Sequence, residues 1–497
     1  SAAPPLRVVL AGLSHDHSIA SAQLAIAATY AVVEDVIALE HGTPLPTYGD
    51  LSQQWASLRR QPPDAVVIVG GIDGGAARPL LDLAQQVMTV LDGHEPLPSI
   101  VFAGNANARL PLTELIGNTA DLRLVDNVQP DLRTEHTAAL HAEVEEVYWE
   151  RKVLALDGFG ALQSRSALPI IPAVKGLAAG ARFVARRDRL QTVAVDLGSS
   201  ATAVVVASPH RAITALTSHH RQSAWDFLAR SDPLLASRWL PFDLVPPVDE
   251  PGTLAEVEPE PFGADPLRGN PGSRPQAWWL AGAAAREALR RAWVRARAQW
   301  RSPDTPWPRT FSPRLDLVIG SGGRLVGAHH EAEAALLLLD GLEPCGVSQL
   351  ALDPASLLPA LGVIAGFHPL AAVQVLAFDG LLRLGPVVAP IGQGRPGQPA
   401  VHVNLRREDG SNDEVQVYTG DLAVLPLGAG ETGHLELRPS PAFDVGLGVR
   451  GLGATTEVRG GLIGVIVDAR GRPLPVVGRA AERKEQMQRW LATLGQP

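Results

Sequence analysis

The amino-acid sequence predicts an α/β chain with a β-rich C-terminal part, on three observations. Through the first 185 residues, apolar runs of strand length repeatedly end in Gly, Asp or Asn and give way to helix-spaced residues. Two glycine-rich turns about 120 residues apart, Asp196-Leu197-Gly198-Ser199-Ser200-Ala201-Thr202 and Gly320-Ser321-Gly322-Gly323, each follow a further apolar run. After Gly380 the texture changes to short alternating runs separated by Gly, Pro and Asp. The chain has 497 residues, 46% of them hydrophobic, enough for roughly two to four domains with a sizeable core.

Taken in order, residues 6–12 are an apolar run that reads as the middle of a domain, so the chain is expected to be a fragment. Residues 66–69 form a short buried strand ending in Gly70-Gly71-Ile72-Asp73-Gly74-Gly75, followed by a helix over 76–90 with Pro79 in its first turn. A strand at 99–103 closes on Gly104-Asn105, and another at 122–125 closes on Asp126-Asn127. Such strands imply a parallel layer whose functional edge lies at their carboxyl ends. The expected organisation is a first α/β lobe over 1–185 and a second over 186–380. A Pro- and acid-rich mobile insert falls at 241–274, a β-rich domain at 381–479, and a helix at 480–497 packs back through Met487, Trp490, Leu491 and Leu494. The helix over 280–301 carries Arg286, Arg290, Arg291, Arg295, Arg297 and Arg301, and reads as a solvated face. The β-rich strands fall at 401–405, 414–419, 422–426, 434–437 and 462–468, and the segment 467–474 reads as a surface turn without chemistry.

Several function classes drop out. A net charge of −9 and a pI near 5.9 argue against nucleic acid as a partner. The only lysines are Lys152, Lys175 and Lys484, and no G-x-x-x-x-G-K-[ST] occurs, which excludes a P-loop NTPase. Cys345 is the single cysteine, which excludes an internal disulfide framework and a thiolate zinc cluster and fits a cytoplasmic setting. It adjoins an apolar helix and is expected to be buried, not nucleophilic. No apolar run reaches the roughly 20 residues of a membrane span, so no membrane partner is expected. His15-Asp16-His17, His219-His220 and His329-His330 lack any metal-ligand frame and are expected to be solvated or capping. Ser199 and Ser321 are not in a G-x-S-x-G elbow, which removes a serine hydrolase.

The two glycine turns, in this order, have the pattern of the actin, Hsp70 and sugar-kinase two-lobe ATPase fold, which makes ATP and Mg²⁺ the expected cofactors. Asp196, at the end of its strand, would hold Mg²⁺ through the ion's water shell and serve catalysis. The backbone of Gly198, Ser199 and Ser200, with the Ser200 and Thr202 hydroxyls, would cradle phosphates. Gly320, Ser321, Gly322 and Gly323 have little side chain to hold off adenosine. Asp73 is the candidate to orient an attacking water, against the plainer reading that it N-caps the helix at Ala76.

The ordered series Ser1-Ala2-Ala3, Leu6-Arg7-Val8-Val9, Gly70 to Gly75, Phe102-Ala103-Gly104-Asn105, Asp126-Asn127-Val128-Gln129-Pro130, Asp196-Leu197-Gly198-Ser199 and Gly320 to Gly323, extended by residues 335–347, resembles the glutamate mutase accessory family. That family is called MutL or GlmL and is unrelated to the mismatch-repair protein of the same name. The resemblance spans about residues 1–365. It implies an actin-like ATPase that acts as a chaperone or reactivating factor for a cobalamin-dependent carbon-skeleton mutase, with a mutase subunit as partner. It also implies an Asp-x-Gly-Ser-Thr phosphate loop upstream of Ser1, so the first lobe is expected to be incomplete and hydrolysis to depend on that loop. The alternatives are a non-hydrolysing pseudo-ATPase scaffold and, for want of a substrate-pocket motif less favoured, a small-molecule kinase.

Overall fold

The structure, a computed structural model, describes residues 3–27, 29–39, 55, 58–59, 61–219, 224–229, 231, 238–240, 242, 275–300, 314–328, 330–378, 380–475 and 479–495. The expected insert at 241–274, residue 242 apart, lies outside them, as do Ser1, Ala2, His220, His329 and Arg301. The chain divides into two units, Ser1–Ile170 and Ile171–Pro497.

The first unit runs β1 (Leu6–Gly12), α1 (Ala20–Ile26), β2 (Ala31–Ala38), β3 (Ala65–Val69), α2 (Arg78–Leu91), β4 (Ser99–Phe102), α3 (Arg109–Ile116), β5 (Leu122–Leu124), α4 (Thr137–Tyr148) and α5 (Phe159–Arg165). Its five strands are parallel throughout, in the order β2-β1-β3-β4-β5. Strand periodicity divides the apolar residues between two cores. Val8, Leu10, Val67 and Val69 pack with α1 and α4, and Val9, Ala11, Val66 and Ile68 pack with α2 and α3. A sheet covered on both faces explains why β1 and β3 read as continuous apolar runs. The edge strand β2 escapes the sequence reading because Glu34 and Asp35 interrupt it.

The second unit begins with α6 (Ala173–Asp188), β6 (Thr192–Leu197), β7 (Ala201–Ala207), β8 (Ala212–Ser218), α7 (Ala224–Ala229) and α8 (Pro275–Trp300). It continues through β9 (Leu317–Ser321), α9 (Gly323–Val326), α10 (Glu331–Leu342), β10 (Gly346–Leu352), α11 (Leu358–Ala365), α12 (Pro369–Phe378) and β11 (Leu382–Ala389). The C-terminal part supplies β12 (Pro399–Arg407), β13 (Asn412–Tyr418), β14 (Leu422–Leu425), β15 (Thr432–Pro439), β16 (Ala454–Arg459), β17 (Val465–Asp468) and α13 (Ala480–Leu494).

Eight of these strands form one sheet, β14-β17-β11-β10-β9-β6-β7-β8. The strands β6, β9 and β10 are mutually parallel, while β6-β7-β8 is an antiparallel meander. Thus β11, β14 and β17 extend the sheet that holds the glycine turns, and β13-β12-β15-β16 forms a separate antiparallel sheet. The two sheets share a core: Val387 and Ile466 face α8 and α10, whereas Val388, Val465 and Val467 face Val403, Leu405, Leu435 and Leu437. Met487 and Leu494 of α13 are buried, and Trp490 and Leu491 pack on the α8–α10 core.

Two expectations are corrected here. The arginines of α8 do not form a solvated face. Arg286 is buried and donates from Nε to Asp340 Oδ2 at 2.6 Å, Arg290 and Arg291 both bond the buried Glu287, and Arg295 donates to the Leu216 carbonyl at 2.8 Å. An alanine-rich helix packs closely against its neighbours, and its long side chains then reach carboxylates and carbonyls instead of water. Nor is the segment 467–474 a surface turn. Arg470 donates to Asp468 Oδ1 at 2.9 Å and to Asp340 Oδ1 at 2.7 Å, and Arg472 donates to Asp468 Oδ2 at 2.6 Å, all with side chains at most 1% exposed. Burial would raise the Asp468 carboxyl, but the Arg470 and Arg472 guanidiniums override it and hold that carboxyl well below the usual range. The charged residues that made the segment look like surface are the ones neutralised inside.

Candidate functional site

Parallel pairing of β6 with β9 aligns Val195 with Gly320 and Asp196 with Ser321, so both glycine turns leave the second unit's sheet side by side. The first is a hairpin closed by Gly198 N–H donating to the Ala201 carbonyl at 3.1 Å. The second turns into α9 at Gly322, whose φ is +90°, a conformation that favours glycine. A Cβ at Gly322 would lie 2.4 Å from Asp196 Oδ1 and 2.5 Å from the Leu197 carbonyl oxygen. The two turns therefore touch, and the missing side chain is what lets them do so.

Asp196 is partly buried, and among the described residues its carboxylate accepts no hydrogen bond. Burial pushes its carboxyl up, and the Asp353 carboxylate pushes in the same direction. Asp353 directly follows β10, with its N–H bonded to the Gly320 carbonyl at 2.8 Å. Its own oxygens accept from Leu357 N–H and Leu358 N–H, each at 2.8 Å, which ties Asp353 to the start of α11. The sequence reading missed Asp353, although an apolar run ending in Asp is the signal that marked Asp196.

The other predicted residues fall as follows. Ser199 is exposed, Ser200 is partly exposed with its carbonyl bonded by His219 N–H at 3.0 Å, and Gly323 is exposed with open space around it. Gly320 packs under Leu325, and Ser321 is buried. Thr202 is fully buried, its Oγ1 3.2 Å from His219 Nε2. His219 is thus a core residue and not a solvated one; burial in the meander brings it against Thr202 and, edge to face, Phe227.

Asp73 belongs to the first unit. Its Oδ1 accepts from Ala106 N–H and from Asn127 Nδ2, both at 2.9 Å. It does not cap the helix at Ala76: α2 has Ala77 at its N-cap, and Asp73 instead holds the turn that follows β4. Asn127 also donates to the Gly71 carbonyl at 3.0 Å and accepts from Gln129 N–H at 3.0 Å, while Asn105 donates to the Gly75 carbonyl at 2.9 Å. These bonds join Asp73, Asn105 and Asn127 to the turns of this edge in one polar network.

Among the described residues no group of three or more His, Cys, Asp or Glu converges as a metal site. What Asp196 and Asp353 offer is a carboxylate that accepts no hydrogen bond among the described residues, beside a second carboxylate. That donor set suits a cation such as Mg²⁺, which keeps most of its waters and uses one or two protein carboxylates. Cys345 is buried, as expected, and no described helix is long and apolar enough to cross a membrane.

Residues 1–223 match the family model described as MutL protein, the glutamate mutase accessory family and not the mismatch-repair protein. The match takes in the first unit and continues through β8. No curated protein matches the chain.

Proposed function

We propose, with the MutL match over residues 1–223 as premise, that this protein binds ATP with Mg²⁺ on its second unit and serves as an accessory protein to a cobalamin-dependent carbon-skeleton mutase of the glutamate mutase type. The nucleotide reading rests on the register that sets Asp196 level with Ser321 and brings the hairpin and the Gly-Ser-Gly-Gly turn to one sheet edge. A central strand with an antiparallel meander on one side and parallel strands on the other also suits one lobe of an actin-like ATPase. The first unit's parallel sheet contains no hairpin among its described residues, so the proposal places the nucleotide on the second unit alone.

In this reading Asp196, with Asp353 beside it, holds Mg²⁺ through water, and the ion supplies charge neutralisation at the phosphates. The Gly198-Ser199-Ser200 backbone receives phosphate oxygens, and Gly322 and Gly323 let the nucleoside lie against the turn. Nucleotide occupancy then changes affinity for the mutase through whatever difference in contacts the bound and free forms make. A thermal-shift titration with Mg-ATP and Mg-ADP tests the first half. A saturable rise in Tm that disappears in Asp196→Ala is expected, and no rise at millimolar nucleotide rejects it. Recovery of an inactivated glutamate mutase on addition of this protein with ATP, and not without it, tests the second half.

One observation favours a variant without turnover. The Thr202 hydroxyl is committed to His219, which removes one of the expected phosphate donors. Phosphate release at saturating nucleotide distinguishes an ATPase from a nucleotide-bound scaffold.

A further inference from the structure

From Pro354 to Phe378 the chain carries no Asp, Glu, Lys or Arg. The segment is largely helical, with α11 joined to α12 by a turn through Gly366, Phe367 and His368. On α12, Ala372 and Leu376 are buried, whereas Leu370, Ala371, Gln374, Val375, Ala377 and Phe378 are exposed. At 3.6 residues per turn the exposed residues fill one continuous arc of about 160°. Phe378 is 83% exposed, Leu370 70% and Val375 41%, and Phe367 in the preceding turn is 58% exposed.

A surface helix ordinarily turns charged residues outward, and here the outer face is apolar but for one amide. Its side chains expose roughly 500 Å², at the upper end of what a monomer leaves uncovered. Covered by the same face of a second copy, the pair would bury about 1,000 Å², the area that a specific interface has to clear. A lipid surface suits it less, because interfacial helices hold headgroups with Lys and Arg, and this segment has neither. Absence of charge fits contact between identical copies, whose interfaces are more apolar than those of transient complexes.

The order of residues along α12 points to the same occupant. Counting outward from Gln374, the helix is nearly symmetric: Val373 and Val375, then Ala371 and Ala377, then Leu370 and Phe378. A two-fold interface needs one patch that is complementary to itself, and antiparallel pairing of α12 about an axis at Gln374 supplies it. Leu370 of each copy then meets Phe378 of the other, and the small Ala371 and Ala377 let the helix axes approach to about 8 Å. The one polar side chain of the face falls on the axis, where each Gln374 amide can donate to the carbonyl oxygen of its counterpart. We propose that the outer face of α12 is a homodimer interface, formed by antiparallel packing on α12 of a second copy about a two-fold axis at Gln374. The interface is independent of the nucleotide reading.

Sedimentation equilibrium of the full chain at micromolar concentration should show a dimer. Phe378→Asp, a change at an exposed position repeated in both copies, should leave Tm unchanged and raise the dissociation constant at least about hundredfold. Cysteine scanning reads the axis directly, and the native Cys345 is buried. Gln374→Cys meets its own counterpart and should form a disulfide-linked dimer under mild oxidation. Ala371→Cys should not, because its two copies stand about 9 Å apart along the helices, beyond disulfide reach. A monomer at all concentrations overturns the proposal, and one that floats with phosphatidylcholine vesicles gives the face to lipid instead. A dimer that is indifferent to Phe378→Asp, or that crosslinks equally at 371 and 374, also overturns it.

Discussion

At the carboxyl edge of the first unit's sheet, Asp73 accepts from Ala106 N–H and Asn127 Nδ2, and Asn127 spends its remaining capacity on Gly71 and Gln129. At the carboxyl edge of the second unit's sheet, Asp196 accepts from none of the described residues and stands beside Asp353 with its carboxyl pushed up. Both edges are built from apolar strands that end in Gly or Asp, joined in the first unit by Asn105 and Asn127. The difference lies in how many donors the adjoining turns return. Where the donors are present the carboxylate is tied into the turns around it, and where they are absent, among the described residues, the carboxylate is left without a bonded donor.

Three substitutions break or sharpen that contrast. The largest effect is expected from Asn127→Ala, which removes two donated bonds and one accepted bond from a buried site. At about 1 kcal/mol per bond it should cost about 3 kcal/mol, read as roughly hundredfold lower hydrogen-exchange protection across β3–β5 with β6 and β9 unaffected. A loss under about 0.5 kcal/mol would mean the first edge is not closed by this network. Next is Gly322→Ala, which places a Cβ against Asp196 and Leu197 at a positive φ. A cost of about 2 kcal/mol is expected, confined to exchange in β6 and β9, together with loss of the nucleotide-dependent Tm rise.

The smallest effect has the opposite sign. Because the folded-state pKa of Asp196 is raised above its unfolded value, ionisation of this carboxyl opposes folding. The penalty is absent below about pH 4, grows as pH rises through the shifted pKa, and is constant above it. Asp196→Asn should therefore stabilise the ligand-free protein by about 1 kcal/mol at pH 7 and leave it unchanged near pH 3.5, while abolishing the Mg-nucleotide response. Denaturation midpoints at the two pH values check this. Destabilisation at pH 7 would show that the Asp196 carboxylate is structurally engaged, as Asp73 is.

The order and type of most elements were legible from the residues, because strand periodicity, a Pro in the first helical turn and Gly or Asp at strand ends are local signals. The five parallel strands of the first unit, less β2, follow from such signals, and so do the strand-and-turn settings of Asp196 and Gly320 to Gly323. Asp353 carried the same local signal as Asp196 and went unread, and its tie to the start of α11 shows only in its bonds to Leu357 and Leu358.

What the sequence by itself determined was thus the α/β class, the two glycine turns and the resemblance that the match over residues 1–223 bears out. Only the tertiary structure decided that Asp196 stands level with Ser321, that Thr202 turns inward to His219, and that Arg470 is buried against Asp340, 130 residues away. A charged residue looks the same in a sequence whether water or a buried counter-ion neutralises it. The choice between them depends on which distant strands and helices close over the side chain, and that is settled by packing and not by local spacing.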